Sequence, residues 1–140
     1  MKVLLAVDGS KYTKKALAFL INHESLVNSN DELFVLNVQL QVPARVRAML
    51  GSAEVAEYHR EESDKVLNPI KKFLDKHALN YRCAFVVGHP VEEILKAAAT
   101  EKSHLLVMGT RGHGLIGRVL IGSIAQRVVA ECDIPVLLVT

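Results

Sequence analysis

Five of the eight glycines in this chain fall within fifteen positions, in the run Gly109-Thr110-Arg111-Gly112-His113-Gly114-Leu115-Ile116-Gly117-Arg118-Val119-Leu120-Ile121-Gly122-Ser123. Glycine has no Cβ, so its backbone N–H groups can come close to a ligand and its φ can be positive. Helical spacing of apolar residues begins just after, with Ile124, Ala125, Val128 and Val129. The free N–H groups of that helix's first turn, and the positive end of its dipole, would face the glycine run. That arrangement binds anions. Charge agrees, because the stretch from Lys102 to Ala130 carries Lys102, Arg111, Arg118 and Arg127 and no acid. In a chain whose 17 Lys and Arg against 15 Asp and Glu leave a net charge of only +2, such segregation favours a phosphate. The alternative is a glycine-rich turn with a solvated basic face.

Two familiar phosphate loops do not fit. Gly112, Gly114 and Gly117 spell GxGxxG, but they follow the fourth apolar run rather than the first. Some twenty residues further on stands Leu137, not the acid a ribose needs. Gly117 through Ser123 spells GxxxxG-S without the lysine of a P-loop. Ser123 can still offer a hydroxyl and its own N–H to a phosphate oxygen, and Arg111 can supply charge. Asp8 is the only acid close to the carboxyl end of a strand on this side. It suits a ribose hydroxyl or a phosphate-bound Mg²⁺; alternatively, Asp8-Gly9-Ser10 is a turn or helix cap.

Other chemistries find no footing. Phosphorelay receivers need paired acids after strand one, an Asp after strand three and a Lys after strand five, and those positions hold Asp8 alone, Val86-Val87-Gly88 and Thr140. None of the six histidines pairs at HxxxH spacing, although His113 lies in the glycine run. No GxSxG elbow is present. Cys83 and Cys132 form no CxxC pair, which argues against a zinc site and a secreted disulfide framework. Cys83 reads as core. No residue offers itself to orient a hydrolytic water.

The elements that must hold this site are legible as runs. Residues 3–7, 33–38, 83–87, 105–108 and 136–140 are short and almost continuously apolar, as strands of a parallel sheet buried on both faces are. Between them, residues 11–26, 53–78, 90–102 and 123–131 carry helical spacing. Ser10 is expected to cap the first helix, and Pro90 opens the third with Glu92 and Glu93 in its first turn. Pro69 is expected to kink or split the second. The β-α-β-α-β-α-β-α-β order implies an α/β fold: a doubly wound, open, parallel five-stranded sheet with helices on both faces. Residues 39–52 read as an irregular connection, either a ligand loop or a plain link. At 140 residues, with half of them hydrophobic and only seven Phe or Tyr, one domain over 1–140 with an aliphatic core is expected. The near-neutral charge argues against a nucleic-acid or membrane binder. The opening apolar run, five residues long before Asp8, is too short for a membrane span or signal peptide, so a cytoplasmic protein is expected.

One further spacing remains, Gly109-x2-Gly112-x9-Gly122-Ser123. It resembles the nucleotide-binding signature G-2x-G-9x-G-(S/T) of the universal stress protein family. The resemblance extends over the chain, with an aspartate after the first strand and a closing Ile134-Pro135-Val136 strand. It implies a Rossmann-like fold of the adenine nucleotide alpha hydrolase type that binds ATP (or AMP or ADP), usually as a homodimer, in stress physiology. By position, Ala6, Val7 and Asp8 match the end of strand one, and Val38 the residue bordering adenine. Met108, Gly109, Arg111 and Gly112 match the ribose and phosphate segment, and Gly122, Ser123 and Ile124 the triphosphate-binding helix start. Asn37 departs from the family's frequent His, and Ala6 from an occasional Pro. With strand order 3-2-1-4-5, Val136, Leu137, Leu138 and Val139 form an uncharged edge that a second copy, or a loop of the same chain, must cover. The expected function is an ATP-binding regulatory module, not an enzyme. The alternatives are a slow ATPase or nucleotidyl-transfer relative using the same pocket, and an interaction protein with a vestigial site whose partner is another protein, such as a transporter or kinase.

Overall fold

Unbroken Val and Leu runs need cover on both sides, and the fold supplies it. The computed structural model describes residues 1–112 and 120–140. His113, Gly114, Gly117 and Arg118, singled out above, lie outside the described residues. The strands are β1 (Lys2–Val7), β2 (Glu32–Gln39), β3 (Asn80–Val87), β4 (Leu105–Gly109) and β5 (Val136–Val139). The helices are α1 (Lys11–Ile21), α2 (Ala44–Leu50), α3 (Ser52–Leu74), α4 (Pro90–Thr100) and α5 (Ser123–Glu131). All strand pairs are parallel, in the order β3-β2-β1-β4-β5. This is the doubly wound α/β sheet the runs imply, with β5 at an edge.

Side chains alternate along each strand and so serve two cores. On one face Val3, Leu5, Val7 and Val35 pack with Ala16, Leu17 and Leu20 of α1 and with Leu67, Ile70 and Leu74 of α3. On the other, Leu4, Leu36, Leu106 and Met108 pack with Val91, Ile94 and Ala98 of α4 and with Ala125 and Val128 of α5. The chain leaves β1 for β2 on one side and returns to β4 on the other. Strand order therefore reverses between β1 and β4, and a crevice opens above their carboxyl ends.

Three local expectations change. Residues 39–52 are not wholly irregular, for α2 lies within them. None of its residues is buried, so it leaves no apolar periodicity to read. Pro69 does not split α3, which runs through it from Ser52 to Leu74. Ser10 occupies the position before α1, but its hydroxyl makes no cap bond.

Leu4 is fully buried at the centre of the second core. Leu4→Ala is expected to lower unfolding free energy by about 2–5 kcal/mol, measured by urea titration, through lost transfer energy and a residual cavity.

Candidate functional site

Above β1 the chain turns at Gly9, whose φ of +78° is a conformation other residues rarely adopt. The turn lets the Asp8 carboxylate reach back over the start of α1. Asp8 Oδ1 accepts the Ser10 N–H at 2.9 Å and the Thr13 hydroxyl at 3.0 Å. The Thr13 oxygen in turn accepts the Asp8 N–H at 3.1 Å. Asp8 therefore closes the turn that leads into α1, and it also lines the crevice.

Above β4 the glycines have steric causes of their own. A Cβ on Gly109 would stand 2.4 Å from Tyr12 Cβ, so α1 can lie this close only to a glycine. A Cβ on Gly112 would stand 2.4 Å from Asp8 Oδ2. The Arg111 guanidinium sits 4.8 Å from the centre of the Tyr12 ring, and the Lys11 and Lys15 ammonium groups lie 5.4 and 5.5 Å from it. Cations stacked this way are held by the ring's negative face.

At the start of α5, the Gly122 N–H donates to the Thr110 carbonyl at 2.7 Å, and the Thr110 N–H donates to the Val139 carbonyl at 2.9 Å. The first bond inside the helix is Gln126 N–H to the Gly122 carbonyl, at 3.0 Å. The N–H groups of Ser123, Ile124 and Ala125 precede it and have no partner within the helix.

These elements enclose a cavity of about 320 Å³. All eleven residues expected at the site line it: Ala6, Val7 and Asp8 from β1 and its turn, Val38 from β2, Met108, Gly109, Arg111 and Gly112 from β4 and beyond, and Gly122, Ser123 and Ile124 from the start of α5. Thr13, Leu36, Pro90, Ile94, Thr110 and Ala125 line it too and were not anticipated. For Leu36, Pro90 and Ile94 the signal is the strand order, which carries α4 over the ends of β1 and β2. For Thr13 and Thr110 no sequence pattern pointed inward.

The cavity has two ends. Ala6, Leu36, Val38, Ile94 and Met108 make one of them apolar, fit for a flat heterocycle. Backbone N–H groups of the α5 start and the Arg111 side make the other suited to an anion. Among the described residues, Lys102 and Arg127 do not gather here as their clustering in the chain suggested. Arg127 is bonded to Glu92 at 3.0 Å and Glu131 at 3.1 Å on the outer surface. Lys102 lies in the turn before β4, at the opposite end of the sheet. Among the described residues no three His, Cys, Asp or Glu side chains form a metal cluster. Burial pushes the half-buried Cys83 thiol up, away from the reactive thiolate.

Comparison with known proteins matches this geometry to a family. The sequence profile of the universal stress protein family matches residues 1–140. A universal stress protein of Thermus aquaticus is 36% identical over 143 residues, spanning 98% of this chain and 96% of the relative. Universal stress protein MJ0531 of Methanocaldococcus jannaschii is 30% identical over 139 residues, spanning 99% and 81%. The solved structure of MJ0577, from the same archaeon, superposes with a TM-score of 0.83 at 28% identity, covering 99% of this chain and 94% of that one. The fold also matches an Arabidopsis thaliana family member solved with AMP bound (TM-score 0.70, 18% identity, 99% and 90% covered) and an Archaeoglobus fulgidus universal stress protein in complex with dAMP (0.72, 20%, 100% and 98%). The chain belongs to the universal stress protein family.

Gly109→Ala is expected to destabilise the fold by roughly 1–3 kcal/mol, read as a lowered thermal midpoint, because the added methyl must push α1 off the end of β4.

Proposed function

We propose that this protein is a cytoplasmic ATP-binding module of the stress response, acting through nucleotide-dependent regulation rather than turnover. The observation that carries the reading is the two-ended cavity, which offers an apolar slot at Val38 and Met108 and, at Ser123 to Ala125, N–H groups that no bond within α5 uses. Support comes from the fold relatives solved with AMP and dAMP. The base lies at the apolar end, the ribose beside Asp8, and the phosphates run toward Gly122 and Ser123. Asp8 is the single acid lining the cavity. A Mg²⁺ would therefore arrive with the nucleotide, with most of its ligands supplied by phosphates and water.

Regulation rather than catalysis follows from the same acid. Its Oδ1 already accepts two hydrogen bonds, so it is a positioned carboxylate rather than a poised base. ATP turnover in a coupled phosphate-release assay is expected well below the roughly 1 per second at which ordinary enzymes begin. Turnover above that would favour an ATPase.

Native mass spectrometry of the purified protein, with ATP and Mg²⁺, is expected to show one adenine nucleotide per chain. Ser123→Glu puts a negative charge where the phosphates lie. Gly122→Val puts bulk there. Each is expected to weaken ATP binding by at least about 100-fold, or about 2.7 kcal/mol, in calorimetry. Unchanged affinity in both would show that the site lies elsewhere. No nucleotide together with a stable complex with another protein would favour an interaction role with a vestigial pocket.

The reading includes a homodimer paired through β5. Val139 and Pro135 turn their carbonyls to β4, so by the alternation of a strand Val136 and Leu138 turn their backbone groups outward. Leu138→Pro removes one outward donor while sparing the bonds to β4. It is expected to convert a dimer to a monomer in sedimentation velocity.

A further inference from the structure

A second groove, of about 660 Å³, adjoins the proposed nucleotide cavity and shares Asp8, Val38 and Pro90 with it. These lie at the base and ribose end. No residue from the phosphate end, Gly109 to Gly112 or Gly122 to Ala125, lines the groove. A group attached to the phosphates would therefore miss it, and one leaving the ribose beside Asp8 would enter it.

The wall is built for recognition. Gln39 Nε2 donates to Asn37 Oδ1 at 2.6 Å, and Asn37 Nδ2 donates to the Val7 carbonyl at 2.9 Å. Gln39 is left with its carbonyl oxygen as an acceptor. Gln41 Oε1 stands 3.3 Å from Nε2 of His59, a side chain buried to 3% exposure in α3. Gln41 is left with its NH₂ as a donor. Tyr58, 45% exposed on the same wall, offers a ring face on which a planar group can stack. The two charges of the groove's α3 wall, Glu62 and Lys65, pair with each other at 2.8 Å and leave little net field.

From this juxtaposition we infer that the groove is a second subsite, taking a neutral planar group with hydrogen-bonding atoms carried on a ribose hydroxyl of the bound adenine nucleotide. The inference rests on the ATP-binding reading of the main cavity. A monosubstituted ribose keeps one hydroxyl for Asp8. Gln39 and Gln41 meet the substituent's donor and acceptor, and Tyr58 stacks on its plane.

The probe is 2′(3′)-O-(N-methylanthraniloyl)-ATP, titrated by fluorescence on the full chain and competed with unlabelled ATP. The labelled nucleotide is expected to bind about 10-fold more tightly than ATP, as a stacked ring with a hydrogen bond warrants. Tyr58→Ala and Gln41→Ala are each expected to erase most of that gain while leaving the affinity for ATP within about twofold. ATP carrying the same fluorophore on its γ-phosphate is expected to gain nothing. Weaker binding of the ribose-labelled nucleotide than of ATP overturns the subsite and leaves the nucleotide reading standing. So does a gain that survives both substitutions. Failure of ATP and the labelled nucleotide alike to bind overturns the nucleotide reading, and the subsite with it.

Discussion

One peptide unit sets the geometry of the cavity's anion end. Thr110 is buried, so neither its N–H nor its carbonyl can be left to water. The N–H goes to the Val139 carbonyl of β5 and the carbonyl receives the Gly122 N–H, at 2.9 and 2.7 Å. The first residue before α5 is thus registered against the ends of β4 and β5 together. The helix cannot shift along its axis without breaking the second bond, and β5 cannot slip against β4 without straining the first. The edge strand proposed to meet a second copy and the helix proposed to grip phosphate are consequently held by the same residue.

Helix termini explain why the anion end lies where it does. Three helices begin at this crevice, and each start carries the same partial positive charge and unpaired N–H groups. At α1 the Asp8 carboxylate stands just ahead of the helix on the N–H of Ser10, although no side chain caps the first turn. At α4, Pro90 removes one N–H and Glu92 and Glu93 place acids in the first turn. The Glu92 carboxyl sits below its usual range because its own N–H and Arg127 both bind the ionised form. At α5 the residue before the helix is Gly122, no side chain caps it, and the first turn holds no acid. Carboxylates stand just ahead of α1 and inside the first turn of α4, whereas α5 has none near its positive end and is the start proposed to meet phosphate.

What was legible in the sequence follows from the same contrasts. The five strands announced themselves because a sheet covered on both faces must be apolar at every position, and Leu4, Leu5, Leu106 and Val107 are all fully buried. In the spacing of Gly109, Gly112, Gly122 and Ser123 that marked the candidate site, the first two glycines have a steric cause, because a Cβ there would meet Tyr12 or Asp8. What failed to show was whatever depends on a contact distant in the chain. Thr110 is an ordinary polar residue until the fold brings it to Val139, and Thr13 meets Asp8, five residues back, only because the chain turns at Gly9. α2 is short and buries nothing, so no periodicity marks it. Arg127 looked like part of a basic cluster until α5 turned it toward Glu92 and Glu131.

Asn37 shows how one departure from the family's habit can be read physically. It is buried, with 2% of its surface exposed, and it spans the ends of two strands. Its Nδ2 holds the Val7 carbonyl and its Oδ1 holds Gln39. The last residue of β1, directly before Asp8, is thereby fixed to β2 directly before Val38. An imidazole in this place would gain or lose a proton near neutrality and alter one of those bonds. An amide donates and accepts at every pH. The distance between the acid proposed to meet the ribose and the apolar slot proposed for the base is therefore kept by a group that does not titrate.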